Sequence, residues 1–253
     1  LVAKIINSVN SPLFGLRKPI KTINHAVLFL GVNQVKNIAL QFVMAHTLKF
    51  AHNDQKRAYQ RIGEASLVAS SFAFLFAKEM NLDDGAELST LCLLSYLGDI
   101  ALVSVEPKIA KYYVDKSCSF KRTQTIQRRL QTNSAQMSQA LALKWGLPDD
   151  ICQYLSDSLA PMNDSIDTLQ HCAQPLRNLV FCYYVCRLAD WVIFERHSDI
   201  HNIDQLNFDE VGQLSFYYAK EHLAKTNLTK MQRVLQSPSF HAKAAAICDH
   251  LKR

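Results

Sequence analysis

Residues 86–104 constrain this chain most. They run through Leu91-Cys92-Leu93-Leu94 to Leu102-Val103 with hardly a charge and without the alternation of apolar and polar side chains that a half-buried strand would show. An apolar stretch of that length reads as a central, buried helix. The rest of the chain agrees. Seven Gly and seven Pro in 253 residues are few, and the segments between them are long enough for helices rather than the short, regularly punctuated strands of a sandwich or barrel. The expected fold is therefore all-α, a compact multi-helix domain with additional helices at its C-terminal end.

The apolar spacing and the breakers predict the elements. Residues 1–9 end a first helix, and Asn10-Ser11-Pro12 supplies a turn. Pro19 opens a helix that buries Ile20, Ile23, Ala26, Val27 and Leu30 and stops at Gly31. A helix over 33–50 follows, then a long one capped by Asp54 and ending near Met80. Beyond the apolar segment come a short helix over 106–118, a basic and solvated helix over 121–132, and a helix over 134–145 that stops at Trp145-Gly146-Leu147-Pro148. Asp149 and Asp150 stand in the next first turn, where the helix dipole favours anions; a catalytic carboxylate pair is the alternative. Residues 160–173 read as a loop and the best candidate for a soft boundary. A long helix over 174–196 and helices near 207–225, 228–236 and 239–252 complete the chain.

Charge and cysteine usage narrow the classes. The net charge is +6, and all of it lies in the first 53 residues, which hold Lys4, Arg17, Lys18, Lys21, Lys36 and Lys49 and no acid. Such a face suits an acidic partner, a nucleotide or a nucleic acid, unless residues upstream of Leu1 balance it. The chain begins at Leu1, which suggests a start inside a longer protein. Seven cysteines, an odd number without a CxxC pair, suit a reducing cytoplasm. Cys182 and Cys186 share a helix face, as half a metal site would or as two small apolar side chains would. No continuous apolar run reaches the roughly 18 residues of a membrane span, and residues 1–9 lack a signal peptide's layout.

Three blocks carry a family resemblance. The first is Asn10-Ser11-Pro12-Leu13-Phe14-Gly15, followed by Ile20, Ile23, His25-Ala26-Val27 and Leu30-Gly31 with Val35. The second is Leu94 to Leu102, and the third is Leu143-Lys144-Trp145-Gly146-Leu147-Pro148. Together they resemble the HDOD family, the HD-related output domain of bacterial signalling proteins, over roughly residues 1–195, with 196–253 as C-terminal helices packed on the same domain. The resemblance makes Asn10, Ser11, Phe14, Gly15, His25, Gly31, Trp145, Gly146 and Pro148 determinants of the fold.

The resemblance also implies where the ligands of the parent HD phosphohydrolases would fall. Such enzymes need imidazoles and carboxylates converging on a metal that activates water and neutralises phosphate. The His-Asp dipeptide falls on Ser95-Tyr96, the first His on Arg61, the His before the Trp-Gly-Leu-Pro block on Ser134, and the His pair after it on Asp157-Ser158. Of that pattern only Asp190 is retained, and it can instead cap or pair within the core. The implied protein is a non-catalytic, cytoplasmic regulatory module without metal or cofactor. It would act on a protein partner or adjoining signalling domain and would have no membrane contact.

Two rival readings stay in view. One is a divergent metal-dependent phosphohydrolase drawing on Asp157, Asp190 and His171. The other is a nucleotide- or nucleic-acid-binding regulator with Arg17, Lys18 and Lys21 as candidate anion contacts. His197, Asp199 and His201 alternate and could pinch a metal, although in a loop they are ordinary surface residues. There is no Gly-rich phosphate loop, no Gly-x-Ser-x-Gly elbow and no His-Glu-x-x-His.

Overall fold

The fold was determined as a computed structural model. It describes residues 19–21, 50–173, 175–195, 207–208 and 214–251. The helices expected over 1–9, 19–31 and 33–50, apart from Pro19, Ile20, Lys21 and Phe50, lie outside the described residues, as does the segment holding His197, Asp199 and His201. Among the described residues there is no strand, and the fold is all-α.

The organising element is α1, Asn53–Met80. Its inner face carries Ala58, Ile62, Ala65, Val68, Ala69, Phe72, Ala73 and Phe76, all fully buried, so small and large side chains alternate along it and partners approach closely. Asp54 does not cap it. The N-cap is His52, and Gln55 turns back so that its Oε1 accepts from the backbone N–H groups of Ala51 (3.0 Å) and His52 (3.1 Å). Gln55 Nε2 donates to Val103 O at 2.8 Å, so the cap also ties α1 to a distant helix. Asn81, in the left-handed conformation at φ 58°, ends α1.

The apolar stretch 86–104 is not one helix. It is α2, Gly85–Leu94, and α3, Leu97–Val105, with a turn at Ser95-Tyr96. The Ser95 hydroxyl donates back to Leu91 O at 2.9 Å, which loosens the helical ladder. Gly98 then brings α3 against a neighbour: a Cβ there would sit 1.9 Å from the carbonyl oxygen of Ser134. By length and mean hydropathy (1.8), Gly85–Val105 is long and apolar enough to cross a membrane, contrary to the sequence expectation; 72% of the 18-residue window is buried within the protein, where it lines the core.

The short helix expected over 106–118 is a 3-10 turn at Pro107–Ile109 and a single α turn, α4, Lys111–Val114. Next come α5, Ser119–Leu130, α6, Ser134–Lys144, and α7, Asp149–Asp157. Gly146 joins the last two at φ +65°, a backbone state that L side chains resist. Residues 160–173 are no slack boundary. Two 3-10 turns, Ala160–Met162 and Thr168–His171, place Met162, Ile166 and Leu169 in the core.

Helix α8, Leu176–Asp190, is buried on nearly every side and packs on α1 and α2. It does not continue as α-helix to 196; it loosens into a π-helical turn, Trp191–Glu195. A 3-10 turn at Leu214–Phe216 is followed by α9, Ala219–Lys225, α10, Lys230–Leu235, and α11, Pro238–Leu251. These last helices extend the same apolar core: Phe240 of α11 meets Phe76 of α1 at 4.5 Å between ring centroids.

Candidate functional site

Asp190 is the last residue of α8 and is 1% exposed. It sits where α8 passes the turn between α2 and α3 and the start of α5. The Tyr96 hydroxyl, 3.0 Å from Oδ1, donates to it and to Cys186 O at 2.9 Å. Arg122 Nη2 donates to Oδ2 at 2.8 Å, and Arg187 Nη1 lies 3.3 Å from the same oxygen. The carboxylate is thus held by two guanidinium groups and a phenol.

Helix α5 is basic, as expected, but it is not wholly solvated. Lys121, Arg128 and Arg129 are exposed, whereas Arg122 and Ile126, one turn apart on the inner face, are buried. The Arg122 guanidinium lies 4.4 Å from the centroid of Phe194 and 5.1 Å from that of Tyr113. Burial opposes its charge, but Asp190 and its neighbours raise its pKa overall. Arg187 donates to Ser119 Oγ, lies over Tyr183, and leaves its buried Nε without a hydrogen-bond partner.

A small cavity opens beside this cluster. Its interior space is about 10 Å³, room for one water-sized molecule. Ser95, Ser134, Ser158 and Asp190 line it, and Asp99, Arg122, Tyr154, Cys182, Cys186 and Arg187 complete most of its wall. Four positions matched to metal ligands by resemblance therefore do meet in space, and Tyr96 reaches the same carboxylate from behind. Asp99 accepts a 2.5 Å hydrogen bond from Tyr113. Burial pushes its carboxyl up to about 6, against the pull of Arg122 and of that hydrogen bond.

The other positions go elsewhere. Arg61 donates to the carbonyls of Val114 and Ile193 and lies over Phe194, so it braces α1 against α4 and the π-helical turn. Asp157 accepts from Ala173 N at 2.7 Å and Gln153 Nε2 at 2.9 Å, which pins the 160–173 segment. His171 is exposed and does not line the cavity. Among the described residues no three His, Cys, Asp or Glu side chains stand where they could hold a metal. Trp145 is partly exposed, while Gly146 and Pro148 shape the junction of α6 and α7. Asp149 and Asp150 stand in the first turn of α7, away from the cavity. Lys21 is exposed; Arg17, Lys18, Asn10, Ser11, Phe14, Gly15, His25 and Gly31 lie outside the described residues.

Sequence reasoning missed Arg122, Asp99 and Arg187. Two signals were present. Arg122 keeps register with Ile126, and Arg187 interrupts an otherwise apolar helix face one turn before Asp190.

The polar pocket thus lies inside an all-helical domain, lined from α3, α5, α6, α7, α8 and the turn after α2. The profile of the HDOD domain family matches residues 1–161, and the chain belongs to that family. Among solved structures it is similar to an HDOD domain protein of unknown function from Geobacter sulfurreducens, at 16% identity and a TM-score of 0.65, covering 99% of this chain and 81% of that one. It is also similar to a provisionally named phosphohydrolase from Shewanella amazonensis SB2B, at 15% identity and a TM-score of 0.59, covering 99% and 82%. At such identities the likeness shows the fold alone. No curated protein matches the chain with significance.

Proposed function

We propose that this chain is a bacterial, cytoplasmic regulatory module that works by binding a protein partner or an adjoining signalling domain, and that it neither holds a metal nor hydrolyses phosphate esters. The HDOD membership supports a signalling role. One observation carries the rest: the Arg122 guanidinium occupies the coordination sphere of Asp190. A divalent cation at that carboxylate would have to displace one guanidinium and tolerate a second, buried 3.3 Å away. The remaining polar groups around the cavity are the hydroxyls of Ser95, Ser134, Ser158 and Tyr154, poor substitutes for imidazole and carboxylate ligands, the Asp99 carboxyl, which Tyr113 already holds, and the thiols of Cys182 and Cys186, which are engaged with backbone carbonyls. The donor set does not fit a dinuclear metal site. Without a metal the site lacks the Lewis acid that generates hydroxide at neutral pH in such enzymes.

The test combines metal content and turnover. Purified protein is incubated with manganese, iron(II) or zinc, desalted without chelator, and measured by elemental mass spectrometry and against bis(p-nitrophenyl) phosphate. Less than about a tenth of an equivalent of metal, with turnover equal to that of the Asp190→Asn variant, is the expected result. One or two retained equivalents, with hydrolysis that Asp190→Asn abolishes, would establish the divergent phosphohydrolase instead.

A further inference from the structure

Beyond residue 115 the charges of this chain are sorted. Residues 116–148 hold six Lys or Arg and no acid, and residues 149–173 hold five Asp and no Lys or Arg. Helix α5 carries the basic part on its surface. Lys121, Arg128 and Arg129 are exposed, no acid within α5 offsets them, and none of the three is in an ion pair among the described residues. The 3-10 turn Leu214–Phe216 packs against α5. Tyr183 holds it there: its hydroxyl donates to Ser215 O at 2.7 Å, and its ring meets Arg187, which donates to Ser119 at the start of α5. Leu214 is 53% exposed and Tyr217 73%, so apolar surface stands beside the cations.

The junction of α6 and α7 presents the opposite combination. Leu143 and Trp145 are exposed, and so are Asp149 and Asp150 just beyond them. Neither aspartate is in an ion pair among the described residues, and even with Lys144 beside them they leave the junction acidic. Of the six exposed large apolar side chains among the described residues, four stand in these two places.

We propose that the two places are halves of one interface between copies of this chain: the α6–α7 junction of one copy docks on α5 and the 214–217 turn of the next. Asp149 and Asp150 meet Lys121, Arg128 and Arg129, while Trp145 and Leu143 bury against Tyr217 and Leu214. Apolar burial drives the association, with Trp, Tyr and Arg as the side chains that contribute most at protein interfaces. The opposed charges set the register and reject the pairing of like patches. A nucleic acid would engage the cations alone and leave Leu214 in water. Each copy offers both halves, so the contact is heterologous and repeats from copy to copy.

The test is sedimentation velocity of the whole chain between about 1 and about 200 µM, in about 50 mM and about 500 mM salt. The wild type should associate reversibly, at least about tenfold more weakly in the higher salt. Lys121→Glu with Arg128→Glu and Arg129→Glu makes both halves acidic, and Asp149→Lys with Asp150→Lys makes both basic, so each variant alone should sediment as a monomer. An equal mixture of the two restores opposite charges and should associate as the wild type does. Leu143→Gln with Tyr217→Gln, at two exposed positions, should weaken association at least about tenfold. This pair keeps the test decisive if circular dichroism shows a charge variant to be misfolded. A wild type that stays monomeric, which would leave both patches to other partners, overturns the interface. So does association that neither the charge variants nor the glutamine pair weakens, or a mixture of folded charge variants that stays monomeric.

Discussion

Arg122 Nη2 lies 2.8 Å from Asp190 Oδ2, joining residues 68 apart in the chain, with both side chains at 5% exposure or less. The pair links the start of α5 to the end of α8, and Arg187 completes it from one turn away. Removing one member of a buried pair leaves a charge without a partner, at a cost of about 3–5 kcal/mol. Asp190→Ala, which leaves two buried guanidinium groups unpaired, should therefore lower the urea midpoint sharply, whereas Arg122→Met, which leaves Asp190 with Arg187 and Tyr96, should lower it less. Replacing Arg122, Asp190 and Arg187 together by Met, Leu and Met should recover most of the loss, measured in the same titration.

Gly98 and Gly146 are required for different reasons, and substitution separates them. A Cβ at Gly98 would stand 1.9 Å from a backbone oxygen of α6, so Gly98→Ala must push α3 and α6 apart, costing about 3 kcal/mol or more. At Gly146 there is open space and the difficulty is the positive φ, so Gly146→Ala should cost only about 1–2 kcal/mol in thermal or chemical unfolding.

Asp99 and His222 should make the stability of this protein respond to pH with opposite signs. Asp99 has its carboxyl raised to about 6, above its unfolded value of about 4. The native state then holds the proton more tightly, and Asp99's contribution is full below pH ~4 and is lost as pH rises through 6. Burial lowers the pKa of His222, which sits between Tyr184 and the Asp164 carbonyl. There the unfolded chain takes the proton first, so stability is lost as pH falls below ~6.5. Asp99→Asn should remove the Asp99 share of the stability lost between pH ~4 and 6 and leave the His222 share, read from unfolding midpoints across that range.

Phe240 tests whether the C-terminal helices belong to the same cooperative unit. It is fully buried against Phe72 and Phe76 of α1. Phe240→Ala should cost about 3–5 kcal/mol and shift a single transition. If the last helices instead formed a separate unit, a second, early transition would appear in calorimetry.

Much of this architecture was legible in the residues. Trp145-Gly146-Leu147-Pro148 marked a helix junction correctly because a positive φ needs glycine and a proline can open a helix, both of which are local effects. The break at Ser95-Tyr96 was not legible, because a short run of apolar residues looks alike in one helix or two; what divides it is a serine bonding back and a close contact with Ser134. Likewise the three serines of the cavity could be located by resemblance, but not the arginine that reaches their neighbour Asp190.

By itself the sequence determined that the chain is helical and where most helices stop, because periodicity, capping and turn chemistry act over a few residues, while three motif blocks carried the resemblance to its family. Only the tertiary structure decided what surrounds Asp190. The partners of a buried charge are set by which helices cross there: Arg187 stands one turn away on the same helix, but Arg122 and Tyr96 arrive from two other elements. A long-range pairing of this kind leaves no periodic trace in the chain, and so the pairing of Asp190 with Arg122 appears only when the helices are packed.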